Sequence, residues 1–129
     1  MKNSTENLIK TLYYQRMETA STINDINSNV MRVIIDVTIV FSSFVSRKEE
    51  RHKFLKDPND NYMFKVQCPN NDCTMGFIDL SSEVFSAVKS GNMNEGTKRC
   101  CGQEKKYKHT KGFHCETKVI YKIEPILEI

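Results

Sequence analysis

The chain has 129 residues, 39% hydrophobic and 27% charged, with a formal net charge of +3. That length suits one domain of ordinary size and makes a second a stretch. No run approaches the roughly 20 apolar residues that span a bilayer, and MKNSTENLIK lacks the charged-then-apolar layout of a secretory signal, so a soluble, cytoplasmic protein with no membrane partner is expected.

Residues 3–31 read as one long helix. Asn3 can cap it, with Glu6 three positions later. Ile9, Tyr13, Met17, Ala20, Ile23 and Val30 follow the three-to-four spacing of a single apolar face, with Leu12 and Ile26 beside it. Such a stripe either packs on the domain's own sheet or serves a second copy or another protein partner.

At Arg32 the period switches to two. Val33, Ile35, Val37, Ile39 and Phe41 face one way, and the β-branched enrichment marks a strand. The charged stretch 46–61 ends in DPND, a turn signal, because proline fixes φ and Asp or Asn side chains bond the local backbone. YMFKVQC (62–68) then reads as the return strand of a hairpin over 32–67.

CPNNDC follows as a tight turn, and SSEVFSAVKSG as a short helix capped by Asp79 or Ser81 and stopped by Gly91. A strand through Thr97–Cys101 and a last one over 118–127, which Pro125 confines to an edge or an end, complete the chain. The expected fold is α+β: a long N-terminal helix packed on a small antiparallel sheet, with a zinc-knuckle module over 68–129, all in one domain.

All five cysteines lie in the second half, as Cys68 and Cys73, Cys100 and Cys101, and Cys115. In a reducing compartment such clusters are more often metal ligands than disulfides, and an odd count fits poorly with full pairing. Zinc is the natural occupant of a four-thiolate or three-thiolate-one-imidazole site. Cys68, Cys73 and Cys115 are the firmest ligands. Neighbouring strand residues face opposite sides, so only one of Cys100 and Cys101 can point inwards. The glycine turn at Gly102 favours Cys101. His114 is better read as a surface or supporting histidine than as a ligand.

The CPNNDC, RCCG and FHC pieces, with GFIDLSSEVFSAV between and VIYKI after, resemble small uncharacterised bacterial proteins that carry a four-cysteine, zinc-ribbon-like module. The resemblance covers about residues 64–123. It implies Cys68, Cys73, Cys100 and Cys115 as ligands, and no established activity. It favours Cys100 where the glycine turn favours Cys101.

Signatures of catalysis are missing: no HxE with PCxxC, no HExxH and no phosphate-cradling glycine loop. The expected protein is not an enzyme. Positive charge gathers late in the chain: Lys98, Arg99, Lys105, Lys106, Lys108, Lys111 and Lys118 face only Glu104 and Glu116 in that stretch, with Tyr107 and His109 among them. A basic loop over 98–118 with an aromatic ring for stacking suits RNA, DNA or a nucleoprotein, RNA being favoured. The alternative is a protein-interaction module, such as a phage-type inhibitor or regulator of a bacterial complex, acting through the 3–31 helix.

Overall fold

The period-two run is the spine of the molecule. In a computed structural model that describes residues 4–42, 47–70, 73–102 and 115–128, it forms strand β1 (Val30–Ser42), with β2 (Arg47–Lys56) on one side and β6 (Lys118–Leu127) on the other. Strand β5 (Asn94–Arg99) pairs with the far side of β6, giving a four-stranded antiparallel sheet in the order β2-β1-β6-β5. A separate two-stranded sheet joins β3 (Lys65–Gln67) to β4 (Phe77–Asp79). Helices α1 (Ser4–Thr19), α2 (Ile23–Ile26) and α3 (Ser81–Ser90) complete an α+β fold.

One face of the large sheet is the core. Val33, Ile35, Val37 and Ile39 of β1 are buried, as are Val119 and Ile123 of β6. Helix α3 meets this face through Val84, Ala87 and Val88, which fall at helical spacing. Gly91, in the left-handed conformation with φ of 73°, ends α3 by donating its N–H to the Ala87 carbonyl at 2.9 Å.

The N-terminal helix is shorter than its apolar stripe implies. It stops at Thr19, and the chain turns into a new four-residue helix. Thr22 caps α2 by accepting from Asp25 N–H, while the Asp25 carboxylate accepts from Thr22 N–H. The 57–60 turn docks here: Asp60 and Pro58 carbonyls accept from the Ile23 and Asn24 N–H groups at 2.8 and 2.9 Å. These long-range bonds outcompete one more turn of helix. Helix α1 does lie on the small sheet, through Tyr13, whose ring meets Phe77 edge-on at 5.4 Å. Its Leu8, Ile9, Leu12 and Met17 remain exposed.

The hairpin partner of β1 also differs from expectation. The charged stretch RKEERHKFLK is itself β2, paired from Val33↔Lys56 to Ser42↔Arg47. YMFKVQC supplies β3 instead, which pairs with β4. The reason is that β2 is an edge strand, where charged side chains guard unpaired backbone, so its apolar alternation is faint. Pro125 stands opposite Val33 in β6, beyond Ile123 where β5 has ended, so its missing N–H leaves no β5 partner unsatisfied.

Candidate metal centre

Two hairpin ends meet at the cysteines. Cys68 follows β3 and Cys73 precedes β4; Cys100 follows β5 and Cys115 precedes β6. Backbone pairing continues past the strands at both ends. Cys68 N–H donates to the Gly76 carbonyl and Cys100 N–H to the Thr117 carbonyl, each at 2.9 Å. Each hairpin thereby presents two sulfurs from opposite strands.

The four Sγ atoms lie within 4.8 Å of one another, and all four residues are buried. The closest approaches are Cys68–Cys115 at 3.5 Å and Cys73–Cys100 at 3.4 Å. Zn–S bonds of about 2.3 Å at tetrahedral angles separate sulfurs by about 3.8 Å, so the spacings bracket what one tetrahedral ion requires. All five cysteines are free thiols.

Backbone N–H groups point at two of the sulfurs. Gly76 N–H donates to Cys73 Sγ and Gly102 N–H to Cys100 Sγ, both at 3.5 Å. The Thr117 hydroxyl, fully buried, sits 3.3 Å from Cys68 Sγ and 3.4 Å from Cys115 Sγ. Asn70 Nδ2 donates to Cys115 Sγ at 3.6 Å. The N–H donors of Gly76, Gly102 and Asn70 favour the thiolate form and fix its direction, as supporting groups around metal ligands do.

Both glycines have a steric reason. Gly76 adopts φ of 82°, which side chains resist. At Gly102 a Cβ would stand 2.5 Å from Cys73 Sγ and 2.8 Å from Met75 Cβ. Only a bare backbone lets the two hairpin ends close this tightly. Gly102 then accepts the Cys115 N–H at 2.9 Å, locking the third cluster to the second.

Four thiols this close cannot all ionise alone. Cys73 is drawn down to about 6, first by the hydrogen bond from Cys100. Cys115 is held well below the usual thiol range, again chiefly by Cys100. Cys100 is pushed up, because a proton kept there serves the Cys115, Cys68 and Cys73 sulfurs. A divalent cation at the centre would remove that conflict by neutralising the thiolates together.

The contested position resolves by strand parity. Along β5, residues 94, 96 and 98 are partly buried while 95, 97 and 99 are exposed, and the alternation runs on to buried Cys100 and exposed Cys101. Cys101 therefore lies outside the sulfur group, and the glycine turn that favoured it does not bring it in. Gly102 serves Cys100 instead, as an N–H donor two residues on. The contacts of Thr117, Asn70 and Gly76 with the sulfurs escaped the sequence reading, which gave Asn70 only a place in the knuckle turn. Thr117 alone carried a signal, sharing strand parity with Cys115 two residues earlier.

Of the basic residues expected to bind, Lys98 is turned inwards. Its ammonium donates to the Asp79 carbonyl at 2.6 Å and pairs with Glu83 at 3.2 Å, fastening β5 to the start of α3. Arg99 is exposed. Lys105, Lys106, Tyr107, Lys108, His109, Lys111 and His114 lie outside the described residues. Among the described residues, no helix is long and apolar enough to cross a membrane.

No family model matches the chain, and no curated protein or solved structure does so either.

Proposed function

We propose that Cys68, Cys73, Cys100 and Cys115 hold a structural zinc ion, and that the protein is a small non-catalytic binder of RNA, DNA or a nucleoprotein. The observation that carries the metal is the closed, buried set of four sulfurs with their N–H donors. Four protein ligands leave no open coordination position, which separates structural from catalytic zinc. Soft thiolates favour zinc over hard oxygen-seeking cations.

Supporting the binding role, Gly102 and Cys115, joined by a backbone hydrogen bond at the centre, flank a sequence segment carrying Lys105, Lys106, Lys108 and Lys111. Elemental analysis of native protein purified without chelators should give about one zinc per chain; less than about half rejects the site. Changing Lys105, Lys106 and Lys108 together to Glu should abolish RNA binding while zinc content and fold persist. Unchanged affinity rejects the role given to the segment.

The apolar side chains on α1 support a second reading, a module docking on another protein in the manner of a phage-type inhibitor or regulator. Leu8 and Leu12, one turn apart, are 58% and 45% exposed. Under that reading Leu8→Asp with Leu12→Asp abolishes a stable complex and leaves RNA affinity untouched.

A further inference from the structure

Period two along β3 turns Lys65 and Gln67 to the side of the small sheet opposite buried Val66, and the ladder sets Gln67 across from Phe77. Helix α1 lies over this side. Its Lys10 and Tyr14, four residues apart, share one stretch of helix surface. With Met75 and Gly76 these residues line an open cavity of about 430 Å³, within the roughly 300–1,000 Å³ of small-molecule sites. A Cβ placed at Gly76 would meet nothing within 4 Å, so the floor is open there.

The lining holds two ammonium groups and no carboxylate. Lys65 is fixed by three aromatic rings: its Nζ stands 4.5 Å from the centroid of Tyr14, 4.8 Å from Phe77 and 5.4 Å from Tyr13. It also donates to the Tyr14 hydroxyl. Lys10 donates to the Thr74 carbonyl at 3.0 Å. Both lysines are half-buried, and among the described residues neither makes an ion pair. Asp79, opposite Lys65 in the ladder, turns its carboxylate to the Ser81 N–H at 2.8 Å instead. Rings and carbonyl thus hold two cations in place without neutralising them. An ammonium has three donors, so each lysine keeps two for a ligand, and Tyr14 keeps its O–H.

We infer that the cavity between α1 and the small sheet binds a phosphate group, free or as a small phosphomonoester, through Lys10, Lys65 and the Tyr14 hydroxyl. Such a group carries a charge of about −1.5 to −2 at neutral pH and three acceptor oxygens. Its charge matches two ammoniums and its oxygens match three donor groups, where a carboxylate offers one charge and two oxygens. The cations are already positioned, so little ordering is lost on binding. Met75 and the edge of Phe77 give apolar contact to the organic part of an ester. The site rests on neither the metal nor the nucleic-acid reading above, and each can fail without the other.

The test titrates the full-length chain, at low fixed salt, with inorganic phosphate, phenyl phosphate and benzoate, and follows binding by nuclear magnetic resonance. Both phosphates should saturate one site and displace each other, and benzoate should bind more weakly than either. Lys10→Gln and Lys65→Gln should each weaken phosphate about tenfold, the size of one charged hydrogen bond. Lys122→Gln removes the same charge from an exposed position on the opposite face of the large sheet and should leave affinity within about twofold. Tighter binding of phenyl phosphate identifies an ester as the ligand, and equal affinity identifies the free ion. Should Lys65→Gln unseat α1, seen as lost helix signal in circular dichroism, Lys10→Gln alone must give the tenfold loss. Three results overturn the inference: no saturable phosphate binding, an equal loss in Lys122→Gln, or benzoate binding as tightly as phosphate.

Discussion

Strand β1 runs for 13 residues and is paired on both sides, whereas β3 and β4 have three residues each and only one another for partners. The large sheet buries a row of Val and Ile under α3 and resembles a conventional core. The small sheet has little backbone pairing, and an isolated two-stranded hairpin is marginal in water. What it has instead is a cysteine at each open end, Cys68 and Cys73, facing Cys100 and Cys115 at the end of the β5–β6 pair. The small sheet's Val66, Phe77 and Ile78 are buried in the same core as the large sheet, so what it lacks is backbone pairing rather than apolar burial. A metal ion at the four sulfurs would tie this least-paired element to the best-paired one.

That contrast can be broken most directly at the centre. Cys73→Ser should lose zinc and about 4 kcal/mol or more of stability. Hydrogen exchange should show β3 and β4 losing protection while β1 and β6 retain theirs. Equal loss in both sheets would mean that the two are one cooperative unit. The complementary change, Ile123→Ala, empties the core of the large sheet and should cost about 2–5 kcal/mol. It should do so equally with and without added zinc, as chemical denaturation can check.

Gly102→Ala sharpens the comparison at the junction. Its new Cβ meets Cys73 Sγ and Met75, and nearby backbone must shift. We expect about 1–3 kcal/mol of destabilisation with zinc affinity reduced roughly 10–100-fold, read by chelator competition. A Gly102→Ala protein with native zinc affinity would mean the hairpin ends close less tightly than described.

A pH-dependent effect comes from Tyr13, the side chain that ties α1 to the small sheet. Burial, and then the charge of Asp79, push its hydroxyl up to about 12 from 10.0. The folded state holds this proton more tightly than the unfolded chain. The contribution is therefore full below pH 10 and is lost as pH rises towards 12. Tyr13→Phe should show a shallower loss of stability across that window than wild type, measured by thermal unfolding. Identical slopes would place the hydroxyl in solvent. The smallest effect belongs to Cys101→Ser, expected within about 0.5 kcal/mol and with zinc content unchanged; loss of zinc there would return Cys101 to the ligand set.

Much of the centre was legible because its signals are local. Knuckle spacing in CPNNDC, a glycine after RCC and the opposed directions of adjacent Cys100 and Cys101 all act over a few residues, where backbone geometry leaves few choices. The Cys100–Cys101 ambiguity persisted because glycine-turn chemistry pointed to Cys101 and the resemblance to small zinc-ribbon-like proteins to Cys100. Parity says only that one of the two points inwards; which one depends on the face that β5 turns to the core.

By itself, then, the sequence determined the period-two spine at 33–41, the α3 helix with its stop at Gly91 and the gathering of cysteines into ligand-like groups, since each follows from side-chain spacing and backbone preference over short range. Tertiary structure alone decided that the helix breaks before Thr22, that the charged stretch 47–56 pairs with β1, and that Lys98 bonds Glu83 and the Asp79 carbonyl. Those outcomes depend on partners outside the local window, such as Ile23 with Asp60, Val33 with Lys56 and Lys98 with Glu83. Such partners compete for one backbone, and the competition is settled only when the whole chain is folded.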